Sequence, residues 1–151
     1  MKKFKFSLEK VLVYKEQILE REKGELAKLR AEQNSLEKAV ENCNEDFSHV
    51  NNEMGEKSAR GINVIQLRQF QYQLDMIRQE IDRLKKEIEK LEKEIEKQIK
   101  VVLKCSQEVA GLEKLKEKQL AEYNEAEMKA NELEISEFVS GKLAREQSVD
   151  Y

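Results

Sequence analysis

Proline and tryptophan are absent from this 151-residue chain, which has only five glycines, two cysteines and one histidine. Each scarcity excludes something. With no interior proline, nothing removes a helical hydrogen bond or drives a ring into the preceding turn, so helices can run long and unbroken. The glycines stand singly and offer no phosphate-cradling loop. Aromatics make up 6% of the chain against 39% charged residues, a poor composition for an ordinary globular core. No segment approaches the ~20 apolar residues of a membrane span, so direct membrane insertion is not expected. The start, Met1-Lys2-Lys3, is basic, but no signal-type apolar core follows it, and the chain is expected to be cytosolic. Net charge is only −3, with acidic and basic residues interspersed. A nucleic-acid ligand would call for a net basic stripe, and none is present.

What the chain does have is heptad rhythm. From Leu8 the steps run 4-3-4-3 through Leu12, Lys15, Leu19, Glu22, Leu26, Leu29, Gln33, Leu36, Val40, Cys43, Phe47 and Val50 to Met54, and eleven of these fourteen positions are apolar. From Leu67 the same spacing gives Phe70, Leu74, Ile77, Ile81, Leu84, Ile88, Leu91, Ile95, Gln98, Val102, Cys105, Val109 and Leu112. Thirteen of those fourteen are apolar, in a chain that is 39% hydrophobic overall. A seam sustained this long means two helices zipped edge to edge. The fold predicted is all-α, one domain over residues 1–151: a long two-stranded antiparallel coiled-coil hairpin with a C-terminal helical overhang. Helix 1 is expected over about 7–54, the turn over about 55–62 and helix 2 over about 63–145. The turn rests on Gly55 and Gly61, and on a break of seam phase, since the step from Met54 to Leu67 is thirteen residues and no multiple of seven.

Local signals place the ends. Ser7 is expected to cap the first helix, with Phe6 and Val11 as a hydrophobic staple, and Gly55 to end it in a left-handed cap. Asn63 and Gln66 form a capping box for the second helix, with Ile62 and Leu67 as its staple. Folding about residues 58–62 sets Gln98 level with Glu22 as a shared polar layer that fixes register. It sets Cys43 level with residues 74–81, so Cys105 lies roughly 36–45 Å further along at the helical rise per residue. That is too far for a disulfide, and both cysteines are expected as small seam hydrophobes. After Leu112 the spacing shifts to eleven-residue steps, Val109 to Leu120 and Leu112 to Tyr123. The helix is then expected to run on past the first helix, carrying Ile135, Phe138, Val139 and Leu143 with no internal partner.

The residues offer no catalytic, cofactor-binding or metal-binding constellation. His49 falls at an outward c position, and two distant cysteines cannot complete a metal site with it. The carboxylates, as in the mixed-charge run Lys85–Lys100 with Glu89/Lys93 and Glu96/Lys100 at i,i+4, lie on solvated faces. Enzyme activity is not expected. Apolar surface outside the seam is the remaining signal. Phe4, Val11 and Ile18 recur at g positions and Tyr14 joins them at c. These residues either broaden the hairpin's own packing or meet a partner. Ile65 and Tyr72 stand at the outermost f position with Met76 at c, a stripe that does not serve the seam and is assigned to partner contact.

Taken together, Phe4-x-Phe6-x-Leu8-x-x-Val11-Leu12, the long heptad helix, the turn Ala59-Arg60-Gly61-Ile62 and the opening Leu67-x-x-Phe70-x-x-x-Leu74 resemble the flagellar export protein FliJ family over nearly the whole chain. The resemblance implies a cytoplasmic, non-enzymatic component of the flagellar type III export apparatus, shaped like the central stalk of rotary ATPases. Members insert into the ring of the hexameric export ATPase, promote its assembly, and contact the export gate membrane protein at the cytoplasmic face of the inner membrane. They have also been regarded as escorts for export chaperones. By analogy with rotary stalks, the terminal end would enter the ATPase ring through Phe4, Val11, Tyr14, Ile18, Leu120 and Tyr123. The turn end would meet the gate through Ile65, Tyr72 and Met76. The stalk of a virulence-type secretion system, a rotary ATPase central stalk and a parallel dimeric coiled coil share the same pattern and stay open as alternatives.

Overall fold

In the computed structural model, which describes residues 2–149, two helices account for nearly all of the chain: α1, Glu9–Arg60, and α2, Val64–Val149. No strand occurs among the described residues. Contacts divide the chain into two compact units, one made of Met1–Leu19 with Lys104–Tyr151, the other of Glu20–Leu103.

In the unit Glu20–Leu103, the later part of α1 pairs antiparallel with the first part of α2. The direction is plain from contacts that descend one helix as they climb the other. Lys57 Nζ lies 5.4 Å from the Phe70 ring centre, the Arg78 guanidinium lies 5.0 Å from that of Phe47, and Glu22 meets Gln98. Every heptad position expected from the spacing is buried or half-buried here, and Leu74, Leu84, Leu91 and Ile95 are the most enclosed. Burial of such a stripe, more than helix propensity, is what holds long polar helices in water.

In the other unit, the first turns of α1 pack on α2 through buried Leu12, Leu19 and Val109. A non-helical lead, residues 2–8, precedes them and buries Phe6. The expected Ser7 cap is displaced by this lead. The Glu9 amide donates to the Phe6 carbonyl at 3.1 Å, and the first helical bond runs from the Leu12 amide to Leu8. Burying Phe6 takes the chain through a tight turn at Ser7, so the helix begins one residue later, and Val11 stays exposed instead of stapling Phe6.

The turn is shorter than its glycines suggest. Helix α1 runs through Gly55 to Arg60, and the left-handed residue is Gly61, at φ 90°. A helical glycine costs only ~1 kcal/mol against alanine, too little by itself to end α1. Gly61 takes the φ > 0 position that a side chain would resist. Asn63 caps α2, its Oδ1 accepting from the Gln66 amide at 2.8 Å. At the other end α2 persists to Val149 instead of stopping near 145. Asp150 and Tyr151, which end the polar tail, lie outside the described residues. The i,i+4 ion pairs that close are Glu53–Lys57, Arg83–Glu87 and Glu125–Lys129, not Glu89/Lys93 or Glu96/Lys100. Exposed pairs gain little over the side-chain entropy they lose, so which of them close is weakly determined.

Candidate functional site

The titratable groups that depart from their ordinary behaviour do so because of ion pairs. Glu80 is held below the usual carboxylate range by a hydrogen bond from Arg83, whose own affinity for its proton rises in return. Glu108 is lowered and Lys15 raised by their mutual hydrogen bond, at 2.9 Å. Among the described residues, no group of three or more His, Cys, Asp or Glu side chains is placed to hold a metal ion. Cys43 and Cys105 are both free and half-buried in the seam. His49 is exposed. No described helix is long and apolar enough to cross a membrane.

The terminal group of apolar residues does not form one continuous face. Phe4 lies against Tyr123 with ring centres 5.6 Å apart at 50°, and the Tyr123 hydroxyl donates to the Lys2 carbonyl. An offset, tilted aromatic pair of this kind is favourable beyond its buried area. These two residues consequently satisfy each other and pin the lead segment to α2. Ile18 is half-buried. Val11 and Tyr14 remain exposed, Tyr14 at 60%, and Leu120 is exposed at 39% in place of joining the seam. The eleven-residue step from Val109 does not hold, because Lys116, Gln119 and Tyr123 occupy the inward positions instead. A hollow of about 550 Å³ opens beside Phe4 and Phe6, rimmed by Lys5, Lys10 and Lys116. The Lys116 ammonium is paired to Glu9 at 2.8 Å.

Near the inter-helix turn, Ile65, Tyr72 and Met76 are all exposed, Tyr72 at 66%. The structure adds a feature that no spacing rule contains: Tyr72 lines two hollows at once. One, of about 570 Å³, is shared with Ile65, Arg68 and Gln69. The other, of about 460 Å³, lies toward Met76, Ile77, Val50 and His49. The second crosses from α2 to α1, which is why α2 spacing alone could not show it. Tyrosine, an apolar ring with a polar tip, is a residue type enriched at protein interfaces. Apolar residues missed from spacing include Val13 in the first unit and Ile99 and Leu103 in the second, all exposed. Ile99 and Leu103 share an i,i+4 face that could have shown them.

No curated protein and no solved structure is significantly similar to the chain. The family model described as flagellar FliJ protein matches residues 4–148. That match takes in the lead segment with Phe4 and Phe6, both helices and the turn between them. The chain belongs to the flagellar FliJ family, and through it to the components of the flagellar protein export apparatus.

Proposed function

We propose that the chain is a non-catalytic stalk of the export machinery, joining the hexameric export ATPase to the export gate. The observation that carries this is the family match over residues 4–148, on a chain with exposed apolar residues both in the first turns of α1 and in the first turns of α2. One surface, around Val11, Tyr14 and the exposed Leu120, engages the ATPase ring, with Phe4, Ile18 and Tyr123 shaping it from behind. The other, Ile65, Tyr72 and Met76, engages the gate membrane protein, and the protein works at the cytoplasmic face of the inner membrane without entering it. Antiparallel pairing supports the role physically, because a seam of buried leucines and matched polar layers keeps two helices in fixed register under load. Export chaperones are further partners of the exposed apolar face.

Titration of the pure chain into the cognate export ATPase tests the proposal. The chain alone should turn over no nucleotide, while the ATPase should gain hexamer and specific activity as the chain is added. Hydrolysis by the chain alone, or an ATPase indifferent to it over the whole range, would contradict it.

A further inference from the structure

Beyond Tyr123, α2 carries a second stripe that its pairing with α1 does not use. Met128, Glu132, Ile135, Val139, Lys142 and Glu146 follow one another in 4-3-4-3-4 steps, and Phe138 and Leu143 flank them. This is again the rhythm of a two-stranded seam. At 3.6 residues per turn, Met128, Ile135 and Val139 lie roughly 120–160° around the helix from Tyr123, so the stripe does not continue the face that α1 covers. Every residue from 128 to 148 is exposed, Phe138 to 73%. A lone helix with such a stripe is marginal in water.

The polar members say what would cover it. At two polar seam positions elsewhere in this chain the facing helix supplies a partner: Lys15 pairs with Glu108 at 2.9 Å, and Glu22 with Gln98 at 2.7 Å. In the outer stripe the mid-seam polar residues are one acid, Glu132, and one base, Lys142. They are equidistant from Glu137, and so are Ile135 and Val139. An antiparallel second copy of the same helix, centred on that point, sets Ile135 against Val139 of the second copy. It also sets Glu132 against Lys142 of the second copy, twice over. The charge gradient favours the same orientation. Within the overlap, residues 128–136 carry Glu132 and Glu134 against Lys129, whereas residues 138–146 carry Lys142 and Arg145 against Glu146. Antiparallel pairing lays the net acidic half on the net basic half; parallel pairing would stack Glu132 and Glu134 on themselves, and an anionic lipid surface would repel them.

We propose that the outer stripe of α2 is a self-recognition surface, on which two copies of the chain pair antiparallel through residues 128–146 as a two-fold dimer. The overlap is about 27 Å of helix, short for a protein interface, so the dimer is weak and reversible. It concerns the free protein and does not depend on the ATPase or the gate. While paired, the overhang is withheld from any other partner.

Sedimentation velocity of the full chain from micromolar to millimolar concentration provides the test. A concentration-dependent dimer is expected, weakened by salt. Glu132→Lys and Lys142→Glu should each weaken it about tenfold or more, since each replaces two opposite-charge contacts by two like-charge ones. The combined swap, Glu132→Lys with Lys142→Glu, should restore it with the same helicity. A spin label at Ser136, in a Cys43→Ala, Cys105→Ala background, should report a short distance between copies, and a label at Asn124 a long one. A monomer at every concentration, a swap that fails to restore, or short distances at both labels would overturn the proposal. So would a stripe that stays monomeric yet binds a basic protein or anionic vesicles.

Discussion

Gln98 Nε2 donates to both the carboxylate and the backbone carbonyl of Glu22, at 2.7 and 3.0 Å, joining residues 76 apart in sequence. One amide thus answers the polar interruption of the opposite helix, and it can do so in only one register. Gln98→Leu leaves the half-buried Glu22 carboxylate with only the Arg21 guanidinium, at 3.5 Å, and should destabilise the unit by about 1–3 kcal/mol. Glu22→Leu combined with Gln98→Leu should recover most of that loss while permitting slippage between the helices, as replaced polar pairs often do. A double-mutant cycle by urea denaturation reads the first effect. Interhelical spin-label distances read the second.

The Lys15–Glu108 pair predicts a pH dependence with a definite sign. Glu108 titrates below its ordinary range because it accepts a hydrogen bond from Lys15. Its contribution is therefore complete above the ordinary carboxylate pKa and is lost as pH falls through the depressed value. Lys15 titrates above its ordinary range for the reciprocal reason. Its contribution is complete below the ordinary lysine pKa and is lost as pH rises through the elevated value. Thermal midpoints of the wild type and of Lys15→Met should differ at neutral pH and converge as pH falls below the carboxylate range. A gap of constant size would show that the pair contributes nothing through charge.

Gly55 and Gly61 should respond oppositely to alanine. Gly55 is helical with open space around a would-be Cβ, so Gly55→Ala should stabilise by roughly 0.5–1 kcal/mol. Gly61 sits at φ 90°, and Gly61→Ala should destabilise by about 1–2 kcal/mol despite equally open surroundings. Denaturation midpoints of the two variants decide it.

Much of this fold was legible because its signals are periodic. Every heptad position from Leu12 to Met54 and from Leu67 to Leu112 is buried or half-buried, and Asn63 caps α2 as its spacing indicates. Position along a helix fixes direction, so Tyr72 and Ile65 could be placed outside the seam. The misses arise where a contact distant in sequence outweighs a local signal. Ser7 yields its cap because Phe6 is buried, and α1 continues past Gly55 to set Lys57 over the Phe70 ring. Phe4 turns inward onto Tyr123, a pairing across 121 residues that no local window holds. The Lys15–Glu108 pair was missed because Glu108 stands beside the heptad seam, next to Val109. The hollows around Tyr72 need both helices to exist.

Ile65→Ala with Tyr72→Ala should separate interface from stability. Both side chains are exposed, so their loss should cost far less than the ~3–5 kcal/mol of a buried aromatic. Helicity, melting temperature and ATPase stimulation should be kept, while gate binding and motility fall, since a few anchors carry most of an interface. Lost ATPase stimulation with normal gate binding would reverse the two surfaces.

The most direct measurement is site-specific photo-crosslinking in motile cells, with a benzoylphenylalanine at Tyr14 in one strain and at Tyr72 in another. Both side chains are exposed, so the probe perturbs neither helix seam. Joining of ATPase to gate by this chain predicts that the probe at Tyr14 captures the export ATPase and the probe at Tyr72 captures the gate membrane protein. Capture of one and the same protein from both positions, or of neither, would contradict it.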